Sequence, residues 1–188
     1  MSIKRFLDIL GSTVLLLFCG LPMLLIAMLI RFTSQGPAMH YSKRVGKHNL
    51  IFEMPKFRTM RINTPQLATH LLKTPDQWLT PIGNFLRKTS LDELPQLFSI
   101  LKGDMSFVGP RPALFNQQDL IALRNQYGIH TLTPGLTGWA QVNGRDALSI
   151  PEKVKLDAYY LEKKSLLFDI HVLTLTVLKV IKTEGVRH

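Results

Sequence analysis

The sequence is poor in cysteine, in acidic residues and, near its start, in charge of any kind. Cys19 is the only cysteine among 188 residues, so no intrachain disulfide can form. A chain of this length can instead build an ordinary core without disulfide or metal staples, which fits a reducing compartment. Asp and Glu number 13 against 23 Lys and Arg, giving a formal charge of +10. That balance points to an anionic partner: nucleic acid, an anionic membrane face or a phosphorylated substrate. The basic residues are spread among apolar segments and turn signals, which excludes a disordered basic tail. Internal repeats, low-complexity tracts and long linkers are also missing, so nothing marks a repeat array or a widely separated second domain.

Charge is absent from Ile9 to Ile30, a run long enough to cross a hydrocarbon core of ~30 Å. Gly20-Leu21-Pro22 interrupts it; proline removes a helical hydrogen bond and predicts a kink. Lys4 and Arg5 precede the run, Arg31 follows it, and the remainder of the chain is net basic. Positive flanks favour the cytoplasmic side, so both ends prefer the same side of a membrane. A cleaved signal peptide is disfavoured because the apolar run continues past Gly20. A lipoprotein signal is disfavoured because Phe18 precedes Cys19. The residues leave two readings open: a re-entrant helix-break-helix in one leaflet, and a kinked spanning helix.

Further along, Gly36-Pro37 ends this segment. Residues 38–54 read as a hairpin turning at Gly46-Lys47-His48-Asn49. Residues 62–79 read as a polar loop with short helix. Thr80-Pro81 predicts a helix to about Lys88, and a second helix follows from Ser90–Asp92 with Leu94, Leu97, Phe98 and Leu101 at helical spacing. Residues 116–127 predict a polar helix. Two helices close the sequence, over 151–164 and 166–182. The last is apolar but holds Asp169 and His171, which predicts an interfacial or partly packed helix. His171 has no metal-ligand spacing around it.

Three features carry chemistry. Asp92-Glu93 is a carboxylate pair at a predicted helix start, Arg87 and Arg111 stand near rigid elements, and Lys56, Arg58 and Arg61 form a basic segment. A carboxylate can attack phosphorus, act as a base or bind magnesium. Phosphoryl transfer needs cations around phosphate, and an arginine held between prolines offers a preorganised fork. Plainer readings stand beside these. Ser90-x-x-Glu93 matches a capping box, the basic segment can be a protected strand edge, and Arg145 can be an ordinary polar loop residue.

The stretch from Ser90 through Asp92-Glu93-Leu-Pro to Gly109-Pro-Arg-Pro112 resembles the signature of the bacterial sugar transferases, the small monotopic phosphoglycosyl transferases. Pro134-Gly-Leu-Thr-Gly-Trp-Ala-Gln-Val-Asn-Gly-Arg145, Lys56-Phe-Arg-Thr-Met60 and Leu156-Asp-Ala-Tyr-Tyr160 add matches in the same order, so the resemblance covers nearly the whole chain. It implies a mostly helical α/β fold, with a re-entrant membrane helix over 1–31 and a catalytic domain over 32–188. It implies transfer of a sugar-1-phosphate from a UDP-sugar to undecaprenyl phosphate, releasing UMP through a covalent intermediate on Asp92.

The resemblance also implies Mg2+ at Asp92 and Glu93, and places Lys56, Arg58, Arg87, Arg111, Arg145 and Asp157 among substrate- and phosphate-binding positions. The expected location is one leaflet of the bacterial inner membrane, catalytic domain on the cytoplasmic face, with membrane lipids as partners, no nucleic acid, and a homodimer left open. Gly20-Leu21-Pro22 stands where the family often has Ser-Pro, and Pro55 before Lys56 is a second departure. The rival readings are a direct-displacement glycosyl transferase, which would release UDP, and a basic membrane or nucleic-acid binder. The latter would want aromatics interleaved with the cations.

Overall fold

The computed structural model describes residues 2–64, 75–144 and 147–182. Arg145, one of the expected phosphate ligands, and most of the expected loop over 62–79 lie outside them. The described chain is mostly helical with two small sheets, as the α/β expectation requires.

Helix α1 runs from Ile3 to Thr33 without interruption, capped by Ser2, whose hydroxyl accepts from the Arg5 N–H. The sequence predicted a kink at Gly20-Leu21-Pro22 and left open whether the helix breaks there. Pro22 lies inside one helix, because the apolar helix formers on either side carry the ladder past the single lost bond. A straight helix of this length measures about 46 Å. It is the one helix among the described residues long and apolar enough to cross a membrane.

One stripe of α1 faces the rest of the protein along its whole length. Asp8, Ser12, Met23, Ile26 and Ile30 are buried, and Leu16 and Cys19 pack partly against the same cores. Those spacings of three and four follow one helical face. Leu17 and Phe18, on another face, remain about four-fifths exposed (79% and 78%).

Contacts with the rest of the protein pin both ends of the helix. The Lys4 ammonium donates to the Val108 carbonyl at 2.9 Å and pairs with Asp169, which also accepts from the Tyr160 hydroxyl at 2.6 Å. The Arg5 guanidinium donates to the Ile100 and Leu101 carbonyls. Asp8 is buried but accepts from the Ser106 hydroxyl and the Phe107 N–H, both at 3.1 Å, which offsets its desolvation. At the far end Ile30 is fully buried in a cluster with Phe57 and Leu86.

Strands β1 (Met39–Val45) and β2 (Ile51–Phe57) form the expected antiparallel hairpin, with β2 reaching three residues further than the sequence suggested. The short strand β4 (Ala113–Leu114) pairs with β1 on its other side, so β2 is an edge and tolerates Pro55. Helices α2 (Gly83–Lys88) and α3 (Gln96–Lys102) follow the hairpin.

Two helix starts differ from expectation. Thr80 does not cap α2; its hydroxyl donates to the Thr59 carbonyl, and the helix begins at Gly83. Ser90 does not close a capping box. It sits at φ 57 with no side-chain cap bond, and Leu91–Glu93 form a separate 3-10 turn before α3. Leu97 and Ile100 of α3 are buried, whereas Phe98 is half exposed.

A parallel pair, β3 (Ser106–Val108) with β5 (Gly135–Thr137), fixes the glycine- and proline-rich motifs side by side. Helices α4 (Gln118–Gln126), α5 (Trp139–Val142), α6 (Ile150–Lys163) and α7 (Leu166–Lys182) complete the described chain. The last two match their expected positions. Helix α7 is partly packed: Val172 is fully buried while Leu167 and Ile170 face outward. His171 lies against the Trp139 and Phe168 rings.

Candidate active site

The hairpin, the 3-10 turn and the loop after β3 converge on the carboxylate pair. The Lys56 ammonium donates to Glu93 Oε1 at 2.7 Å, and the Arg111 guanidinium donates to the same oxygen at 3.0 Å. Thus Glu93 ties β2 to the 110–112 loop across the site. Burial raises the Glu93 carboxyl, but the charges and hydrogen bonds of Lys56 and Arg111 outweigh it and hold the group well below the usual carboxylate range. Burial also lowers Lys56, with Glu93 and Asp92 opposing that effect.

Asp92 differs from its neighbour. Its residue is 8% exposed, yet among the described residues its carboxylate has neither a hydrogen bond nor an ion pair. Burial pushes its pKa up; the charges of Lys56, Arg87 and Arg111 pull it down, and Glu93 adds to the rise. Two adjacent carboxylates are therefore driven apart, one firmly ionised by its partners and one destabilised and open. Such a split separates roles at reactive sites.

Arg87 projects from α2, and its Nε donates to the Thr59 hydroxyl at 3.1 Å. The close approach that permits this is made at Gly83. A Cβ there would stand 2.2 Å from the Thr59 carbonyl oxygen and 2.9 Å from the Thr80 hydroxyl. Gly83→Ala is therefore expected to lower stability by about 2 kcal/mol through overpacking against rigid backbone. It should also displace Arg87. A urea titration reads the first effect, and KM for the donor the second.

Two expected substrate- and phosphate-binding residues make contacts with other parts of the fold. Arg58 is 6% exposed and spends its guanidinium on Ser34, Gln35 and Pro37, binding the carbonyls that follow α1. It closes the exit of α1. Asp157 is 1% exposed on α6 and accepts from Arg124 at 2.6 Å.

Arg124 and Arg44 support the candidate site, and the sequence reading missed both. Arg124 also donates to the Arg111 carbonyl at 2.8 Å, and Arg44 donates to the Pro112 carbonyl at 3.2 Å. The Gly135 N–H donates to the Pro110 carbonyl at 2.9 Å. Successive carbonyls of the loop are thus each held by a donor from a different element, and the Arg111 side chain is aimed by its backbone. Arg44 is pushed down to about 10 by burial and by the charge of Arg111, with Glu93 opposing. Strand periodicity carried a signal for Arg44. The register pairs His40 with Lys56, Ser42 with Met54 and Arg44 with Phe52, placing Arg44 and Lys56 on one face. Arg124 has no such signal, because it sits in a helix that reads as simply polar.

Magnesium fits these residues in a particular way. No cluster of three or more His, Cys, Asp or Glu exists among the described residues, so they offer no all-protein cage. Magnesium is commonly bound by one or two carboxylates plus waters and substrate phosphates. Asp92, unpartnered among the described residues, could take that role, while Glu93 Oε1 is already shared by two cations.

A carboxylate pair beside Lys56, Arg87 and Arg111 is an arrangement suited to handling phosphate charge. The chain belongs to the bacterial sugar transferase family, whose model matches residues 1–183. It is 39% identical over 188 residues to the "Uncharacterized sugar transferase EpsL" of Bacillus subtilis, covering all of this chain and 91% of that protein. It is 38% identical over 184 residues to the UDP-glucose:undecaprenyl-phosphate glucose-1-phosphate transferase of Escherichia coli, covering 94% of this chain and 40% of that one. It is also 37% identical over 190 residues to an N-acetylgalactosaminephosphotransferase of Aeromonas hydrophila acting with undecaprenyl phosphate, 98% against 45%. The chain therefore spans less than half the length of these last two.

Proposed function

We propose that this protein transfers a sugar-1-phosphate from a UDP-sugar to undecaprenyl phosphate through a phosphosugar bound covalently to Asp92. The observation that carries the reading is the open, buried Asp92 carboxylate beside a Glu93 held by Lys56 and Arg111. In the first step an Asp92 oxygen attacks the β-phosphorus. The bond from that phosphorus to the bridging oxygen breaks, and UMP leaves with its electron pair. In the second step a phosphate oxygen of the lipid attacks the same phosphorus and releases the Asp92 carboxylate. Neither step needs a protein proton donor, which suits a site furnished with cations. Lys56, Arg87 and Arg111 neutralise phosphate charge, and Asp92 would hold Mg2+ with waters and substrate oxygens, supplying further charge neutralisation when bound.

The contacts of α1 support insertion into one leaflet. The same domain grips Lys4, Arg5 and Asp8 at one end and Ile30 at the other. Crossing the hydrocarbon core would require that domain on both sides. The basic balance agrees with the cytoplasmic face of the bacterial inner membrane.

The test is incubation of purified protein with magnesium and a panel of UDP-sugars, without lipid, followed by intact-protein mass spectrometry. A phosphosugar increment on the wild type is expected, with UMP released in equal amount. Lipid-dependent transfer without any increment, or release of UDP, would overturn the covalent reading.

A further inference from the structure

A cavity of about 320 Å³ is lined both by Glu93 and Arg111 of the site and by residues of α1, α3 and α7. Glu93 and Arg111 give it a charged mouth at the site, Lys88 and Lys179 add charge elsewhere on its wall, and most of the rest is apolar, including Cys19, Leu97, Leu173 and Val180. The outer faces of the two flanking helices carry exposed Leu17, Phe18 and Val177, which belong in lipid. The cavity thus joins a phosphate-handling mouth to the depth of the acyl chains.

We infer that this cavity receives the first isoprene units of the polyprenyl phosphate acceptor, with its phosphate at Arg111 and the rest of the tail in the bilayer. The inference rests on the reaction proposed above. The volume lies near the lower limit of ligand cavities, roughly 300 Å³, and is too small for all eleven isoprene units of undecaprenyl phosphate. The chain is therefore read only near its phosphate. A terminal phosphate monoester suits the cationic mouth better than the phosphodiester of a bulk phospholipid, whose second substituent would have to occupy the reacting centre. The uridine of the donor would gain little from an apolar interior bounded by lipid-facing helices.

Two measurements on the full chain in detergent micelles test this. Leu173→Trp fills the interior without touching the carboxylate pair. It is expected to raise KM for undecaprenyl phosphate at least fivefold while adduct formation from donor alone stays within twofold. An unchanged acceptor KM, or equal damage to adduct formation, would overturn the inference. Cys19, the single thiol, serves as an internal reporter. Farnesyl phosphate, with three isoprene units, should slow its modification by a maleimide at least fivefold, whereas UDP-glucose and phosphatidylglycerol should not. Equal protection by UDP-glucose would assign the cavity to the donor, and equal protection by phosphatidylglycerol to bulk lipid; either sinks the proposal. Absence of any adduct in the wild type would instead strike the reaction, leaving Cys19 protection to report on the cavity.

Discussion

Asp92→Asn is expected to abolish the phosphosugar adduct and to lower kcat/KM by at least ~10³-fold, about 4 kcal/mol of lost transition-state stabilisation. The same substitution should raise the melting temperature. Asp92 is buried without a hydrogen bond or ion pair among the described residues, and burial raises its pKa. A raised folded-state pKa means the folded protein binds the proton more tightly than the unfolded chain, so the carboxyl favours folding most when protonated and loses that contribution as pH rises through the folded value. At neutral pH the ionised group is therefore a burden that asparagine removes. The stability gain should shrink as pH falls, because the wild type then takes up its proton. Calorimetry of both proteins at neutral and acidic pH checks the sign. A melting temperature that falls at neutral pH would make Asp92 a structural residue and sink the nucleophile reading.

Asp157→Asn has the second largest expected effect, for a different reason. Asp157 and Arg124 form a buried pair, and removing one partner of such a pair leaves the other charge uncompensated, at a cost of about 3–5 kcal/mol. Arg124 also holds the Arg111 carbonyl, so kcat/KM should drop with stability. Stability alone cannot separate these effects, but the double variant Arg124→Leu, Asp157→Leu can. Apolar replacement of a whole buried pair is often neutral, so the double variant should recover most of the denaturation midpoint. It should not recover activity, because the Arg111 carbonyl still lacks its donor. Full recovery of both would show that Arg124 stabilises the fold without aiming Arg111.

Much of this architecture was legible because the relevant signals are local. The apolar run, the hairpin and the last two helices are set by composition, turn residues and periodicity within a few dozen positions. The failures arose where a side chain had a distant competitor. Thr80 reads as a cap, but its hydroxyl is drawn to Thr59, 21 positions earlier. Ser90-x-x-Glu93 reads as a capping box, but Lys56 and Arg111 offer Glu93 full charges instead of one backbone N–H. Arg58 and Asp157 lie in motifs that point to substrate, and their contacts with carbonyls after α1 and a guanidinium on α4 were equally hidden. No spacing rule reveals such partners. The parallel pairing of two three-residue strands was hidden for the same reason. The carboxylate pair itself was visible as adjacent letters; the structure added the difference between its two members.

The clamp between Lys4 and Asp169 has a consequence for how the protein is made. Those residues stand 165 positions apart. At about 5–20 residues per second, the first helix leaves the ribosome roughly ten to thirty seconds before the residue that will anchor its tip. Contacts of such separation form late, since nearly the whole chain must be closed into one loop. During that interval the apolar face has no protein to cover it, and only lipid or a chaperone can shield it. Any orientation that the helix takes in that interval is chosen before the domain exists, and the clamp then helps to hold it.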